Sequence, residues 1–145
     1  MASPVNTIGS AIATYINAGT YSQTFAAAYG YLHDKALADL TSYVVLVTPQ
    51  DAELVQYTEL RISERYSFQV VIAKKISSTT ITTDMNAHMQ LVDEIYRRLW
   101  PLQSDANSYD VQAVDIDPVY DGPRLREQCV AMSVIRVQVS YGGTV

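Results

Sequence analysis

The stretch Arg65-Tyr-Ser-Phe-Gln-Val-Val-Ile-Ala-Lys-Lys-Ile76, with the segment after it that ends at Leu99-Trp-Pro101, decides the fold. Tyr66, Phe68, Val70, Ile72 and Ile76 fall on one face, and Arg65, Ser67, Gln69 and Lys75 on the other. Alternation with period two, carried by aromatic and β-branched residues, is the pattern of a half-buried strand. The Ser/Thr-rich run from Ser77 to Thr83 breaks it. Helical spacing then takes over, because Met85, Met89, Val92, Ile95, Tyr96 and Leu99 recur at steps of three and four, with Glu94, Arg97 and Arg98 off the stripe. Thr83 or Asp84 is expected to cap this helix by accepting from first-turn N–H groups that lack partners. Pro101 cannot continue it and biases Trp100 away from helical angles. A long strand followed at once by an amphipathic helix folds the helix back over its own sheet.

Working outward toward the N-terminus, Ser42 to Thr48 holds the apolar run Tyr43-Val-Val-Leu-Val47. This predicts a central strand covered on both faces, ended by Pro49. Gln50 to Gln56 reads as an acid-rich connection. Tyr57 to Ile76 reads as one interrupted strand or two halves of a long one, irregular near Glu64-Arg65. At the start, Ser3-Pro4 opens a helix striped by Ile8, Ile12, Tyr15 and Ile16 and closed by Asn17-Ala-Gly19. Thr24 to Tyr31 predicts a first strand with Phe25, Ala27, Tyr29 and Tyr31 on one face. Leu32 to Leu40 is either a short helix or an ordered loop.

Toward the C-terminus, Leu102 to Asp110 is a polar loop. Val111 to Val119 predicts a strand with Val111 and Ala113 on one side and Val114 and Ile116 on the other. Tyr120 to Gln128 is a connection with a turn at Asp121-Gly-Pro123. Cys129 to Tyr141 is a long last strand, and Gly142 to Val145 a loose tail. The expected order is α-β-β-β-α-β-β in a single domain over residues 1–145. Its class is α+β, a mainly antiparallel sheet with two helices packed on one face. The residues expected between sheet and helices are Val45, Phe68, Val70, Ile72, Val92, Ile95, Leu99, Ile135 and Val137.

Composition narrows the function classes. Apolar residues make up 48% of the 145 residues and charged residues 17%, which excludes a disordered chain. Cys129 is the only cysteine, so no disulfide forms within the chain, and a small buried hydrophobe is its expected role. Met-Ala-Ser-Pro has no signal-peptide character and no stretch has the length of a membrane span, so a soluble cytosolic protein is expected. The net charge of −5 argues against a general nucleic-acid binder, which needs clustered Lys and Arg to displace counterions. Eleven tyrosines against two phenylalanines suit surfaces buried only on assembly, and equally strand positions at a core edge.

No catalytic signature emerges. His33 and His88 are the only histidines and neither has further ligands at metal spacing. A structural role is expected for both, with a helix-face pair between His88 and Asp84 one turn earlier. Asp105, Asp110, Asp115, Asp117 and Asp121 lack the spacing of a calcium loop and read as a solvated acidic edge. There is no glycine-rich phosphate loop and no nucleophile elbow. The expectation is a protein without catalytic residues, cofactor or metal.

An N-terminal helix is followed by Leu37-Ala-Asp-Leu-Thr-Ser-Tyr-Val-Val-Leu-Val-Thr-Pro49, then Tyr66-Ser-Phe-Gln-Val-Val-Ile-Ala-Lys-Lys-Ile76, then Met89-Gln-Leu-Val-Asp-Glu-Ile95. This succession resembles the tail terminator and neck (head-tail joining) proteins of long-tailed bacteriophages: a strand ending in Val-x-Pro, a long strand ending in Val-x-Ile-x-Lys-Lys, and a helix containing Leu-Val-x-Glu-Ile. The region after Leu102 matches only in type. The resemblance implies a non-enzymatic virion protein of the tail-neck region, assembled in the host cytoplasm. It implies a homohexameric ring, contacts with the tail tube protein and with a neck, stopper or connector protein, duplex DNA passing without specific binding, and no membrane. A head-completion or stopper protein of the same neck is one alternative. A small cytosolic ligand-binding or enzymatic α+β domain is the alternative from another class. For subunit or partner contacts the sequence offers Tyr29, Tyr31, Tyr57, Tyr66 and Tyr120 as aromatic anchors and Arg65, Arg124 and Arg126 as a charged rim. Asp51 and Glu53, or Asp105 and Asp110, are the loop carboxylates expected to give a lumen its neutral or negative sign.

Overall fold

The computed structural model describes residues 4–31, 43–57, 61–76, 79–100, 103–104, 109–116, 120, 122–123, 125 and 130–144. At 4, 53–57, 61–63, 103–104, 109–110, 112 and 142–144 it describes the backbone alone. Among the described residues two helices, α1 (Pro4–Asn17) and α2 (Ile81–Leu99), accompany the strands β1 (Ala27–Tyr29), β2 (Val44–Tyr57), β3 (Arg61–Lys75), β4 (Gln103–Ser104), β5 (Tyr109–Ile116) and β6 (Val130–Thr144). Among the described residues they form one six-stranded sheet in the order β1-β2-β3-β6-β5-β4. β1 runs parallel to β2 and every other neighbouring pair is antiparallel. The class is α+β and the element order is the expected one, with the two-residue β4 added between α2 and β5.

One face of the sheet carries the core. Val45 and Val47 of β2, Phe68, Val70 and Ile72 of β3, and Ile135, Val137 and Val139 of β6 pack against both helices. Ile8, Ile12 and Ile16 come from α1, and Leu91, Val92, Ile95 and Leu99 from α2. All nine residues expected in the core are at most 2% exposed. On the opposite face Val71, Ala73, Val130 and Met132 form a second, smaller cluster. The two helices are tied together at their ends. Arg98 lies 4.0 Å over the Tyr15 ring and donates to the Tyr15 carbonyl. Glu94 accepts from the backbone and hydroxyl of Ser22. Asn17 at the end of α1 exchanges both of its amide hydrogen bonds with the backbone of Ala27, which starts β1.

Several local expectations are corrected. Pro49 does not end β2, which continues to Tyr57. β1 pairs with β2 only as far as Val47, so beyond it β2 is an edge strand among the described residues, and an edge tolerates a missing N–H. Asp51 and Glu53 therefore lie in a strand rather than in a connection. β2 and β3 are two antiparallel partners separated by residues 58–60, not one interrupted strand. The irregularities fall in β2, at Pro49/Asp51 and at Leu54/Gln56, the second opposite Glu64, while Glu64 and Arg65 themselves pair regularly with β6. Gly142, Gly143 and Thr144 are not a tail, since they extend β6 opposite Ser63, Ile62 and Arg61. The first strand is limited to three residues. The segment Leu32–Leu40, with His33, and Cys129 lie outside the described residues.

Two further corrections concern β5 and α2. A bulge between Val111 and Ala113 shifts the side-chain phase. Val111, Val114 and Ile116 thus all pack against the core, and Ala113 is exposed. Helix α2 starts at Ile81 after Thr80, which makes no side-chain cap and instead donates from its hydroxyl to Asp84. Its buried face includes His88 and Leu91, which the expected stripe lacked. Trp100 keeps helical angles (φ −55°, ψ −48°) despite the following proline, and its ring packs edge-on against Tyr96.

Candidate functional site

The residues offered as interface anchors separate into two groups. Tyr31 is 64% exposed and Tyr120 52% exposed, so both present their rings to solvent. Tyr66 is 5% exposed and belongs to the core. Its hydroxyl donates to Glu64 and its ring meets Tyr141 edge-on at 6.3 Å. Burial, with that carboxylate beside it, raises its pKa above the ordinary tyrosine value. Tyr66 is therefore removed as a surface anchor: its position on the apolar face of β3 fixes it inside. Tyr29 is partly buried, because its ring lies against Gly9 of α1, where a Cβ would collide with it. Its hydroxyl donates to Asn6 at 2.9 Å. Arg65 is half-buried. Tyr57 ends β2, with its side chain outside the described residues, as are Arg124, Arg126 and Asp105 altogether. Trp100 was not singled out by the sequence and is 51% exposed, with the Arg97 guanidinium 5.2 Å from its ring. Its signal was its place as the single tryptophan one step beyond the amphipathic stripe.

His88 faces the sheet and is fully buried. Its Nε2 lies 2.9 Å from the Ser133 hydroxyl of β6, which is also fully buried. The expected pair with Asp84 is not formed as a hydrogen bond, and Asp84 accepts from Thr80 instead. The Tyr43 ring stacks on the imidazole at 6.0 Å, and Lys74 lies 4.9 Å over the other partner's ring, that of Tyr43. Nδ1 has no hydrogen-bond partner. Burial lowers the pKa of His88 from 6.5 to about 4, so the ring is neutral at pH 7. A histidine beside a serine is the chemistry of an activated nucleophile, but no substrate reaches two groups with no exposed surface. The pair acts as a polar tie between α2 and β6. Among the described residues no three of His, Cys, Asp and Glu are grouped to hold a metal ion. No described helix is long and apolar enough to cross a membrane.

A concave polar feature lies on the sheet face away from the helices. It is a cleft of about 190 Å³ lined by Gln50 and Asp51 of β2, Ser67 of β3, Arg136 and Gln138 of β6, and Ala113 and Asp115 of β5. Asp51, Ser67, Gln138 and Ala113 are successive register partners, so they form one row across four strands. The bulges of β2 and β5 both fall on this row. A bulge bends its strand and increases local twist, and here one lies on each of the two outer strands of the row. In the next row Arg136 donates twice to Asp115, at 2.9 and 2.8 Å. Of the four lumen candidates, Asp51 is exposed in this cleft. The backbone of Glu53 is opposite Arg65 in β2–β3, and that of Asp110 is in β5 opposite Ser140 and Gln103. These carboxylates are thus carried by strands, not loops.

No protein-family model matches the sequence, and no curated protein is similar to it.

Proposed function

We propose that the chain is a structural protein of the neck of a long-tailed bacteriophage, closing into a homohexameric ring that caps the tail tube and joins it to the neck or connector. The observation that carries this reading is a sheet that, among the described residues, outruns its helices. The described core reaches Tyr66 on β3 and Val139 on β6, with Tyr141 packed beside it. Strand pairing continues past them to Arg61 and Thr144, and β2 runs alongside to Tyr57. At ~3.3 Å per residue the five further residues of β3 make an arm of ~17 Å. Among the described residues β2 has no strand partner beyond Val47 on its outer side, and an extended edge of this kind is the element through which separate chains add strands to one another. Exposed Tyr31, Tyr120 and Trp100 supply the residue types that anchor interfaces. The net charge of −5 suits a ring through which a duplex slides rather than one that grips it. The protein has no enzymatic role in this reading.

Negative-stain microscopy of the purified protein with uncapped tail tubes tests it. Rings seated at one end of the tubes are the expected result. Bare tube ends at saturating protein would overturn the assignment to the tail terminus.

A further inference from the structure

The cleft on the helix-free face has unused hydrogen-bonding capacity. Ser67 is 8% exposed, lines the cleft and, among the described residues, makes no side-chain hydrogen bond, so its hydroxyl is open to the cleft. A hydroxyl withdrawn from bulk solvent but open to a cleft is placed to exchange its water for a donor or acceptor that arrives from outside. Asp51, across from Ser67 on the same row, is a carboxylate with no ion pair among the described residues. Gln138, on the other side of Ser67, and the bulged Gln50 add amide oxygens. The nearby carboxylate Asp115 is already matched by both of its hydrogen bonds from Arg136, so this pair contributes little net charge. The remaining formal charge of the cleft is the single negative charge of Asp51.

We propose that this row is a binding site for a primary ammonium group. An ammonium carries three N–H donors and no acceptor. Asp51, the Ser67 hydroxyl oxygen and one glutamine carbonyl are three acceptors of the right kind, one of them charged. A divalent metal needs about six oxygen ligands and usually several carboxylates, more than one free carboxylate supplies. A guanidinium prefers a carboxylate fork of the kind that Asp115 already gives to Arg136. A cleft of about 190 Å³ holds roughly six water-sized groups, enough for an ammonium and the last methylenes of its chain. The same chemistry is offered by a lysine of a second copy, the chain having Lys35, Lys74 and Lys75, and by a free polyamine. The proposal does not rest on the ring reading.

The test has two arms. In the first, ¹⁵N-labelled full-length protein is titrated with spermidine and with N-acetyl-lysine amide. Saturable shifts of the Asp51, Ser67 and Gln138 amides, weakened about tenfold in Asp51→Asn and a few-fold in Ser67→Ala, are expected for a free ammonium. In the second, carbodiimide coupling is run on a mixture of light and heavy protein. An isopeptide bond from Asp51 of one copy to a lysine of the other, with the small probes excluded, identifies the neighbouring chain as the source. Shifts that are unchanged in Asp51→Asn overturn the proposal. So does the absence of both probe binding and the intermolecular bond.

Discussion

His88 of α2 and Ser133 of β6 meet at 2.9 Å with both side chains fully buried, which puts a polar tie inside an otherwise apolar layer. Nδ1 has no partner, so the favoured tautomer carries its proton on Nε2, donates to Ser133, and leaves a bare lone pair on Nδ1. A buried N–H without an acceptor is the costlier alternative. The groups around the ring are Tyr43, whose own pKa is raised by burial with Asp84 adding to it, Lys74 over the Tyr43 ring, and Ser133.

From this pair follows a pH dependence. The folded-state pKa of about 4 is below the ordinary 6.5, so between these values the unfolded chain binds a proton that the folded chain does not. The contribution of His88 is present above pH 6.5 and lost as pH falls toward 4, by about 3 kcal/mol in all. Urea midpoints measured from pH 7.5 to 4 should fall more steeply for the wild type than for His88→Leu. Parallel curves would show that the imidazole is not held neutral.

Core truncations test how sheet and helix face each other. Val70 and Ile95 are fully buried in the same cluster, and Val70→Ala or Ile95→Ala should each cost about 1–4 kcal/mol. Denaturant midpoints unchanged in both would contradict the packing.

The strands were legible because alternation survives in Tyr66, Phe68, Val70 and Ile72 whatever else the chain does. Less legible were the places where one residue shifts the phase. The bulge beside Ala113 returns Val114 to the side of Val111, and an alternating template cannot anticipate an extra residue. Pro49 reads as a terminator until the short β1 leaves β2 at the sheet edge. His88 was visible as a histidine, but its partner is 45 residues away on another element. The ammonium cleft was hidden for the same reason, since Asp51, Ser67 and Gln138 become neighbours only through the register of three strands.

Tyr29 and Tyr31 should behave differently although they are two residues apart. Tyr29 packs on Gly9 and bonds Asn6, so Tyr29→Ser should destabilise the monomer by about 1–3 kcal/mol. Tyr31 is 64% exposed, and Tyr31→Ser should change stability by less than ~0.5 kcal/mol while weakening assembly. Thermal unfolding and sedimentation of the two variants separate the effects. Equal destabilisation, or intact assembly in Tyr31→Ser, would move the interface away from this edge.

Duplex DNA should not be retained by the wild-type protein even at low salt, because a chain with fifteen acidic against ten basic residues repels phosphate overall, and only clustered Lys and Arg displace its counterions. Filter binding across a salt series reads this directly. Tight, salt-sensitive retention would contradict a passive channel.

Native mass spectrometry over a range of protein concentrations tests the central claim, assembly into a closed ring. One discrete oligomer is expected, a hexamer of the 16.1 kDa chain, with no ladder of larger species, since a closed ring stops growing. A monomer at every concentration, with and without tail tubes, would contradict it.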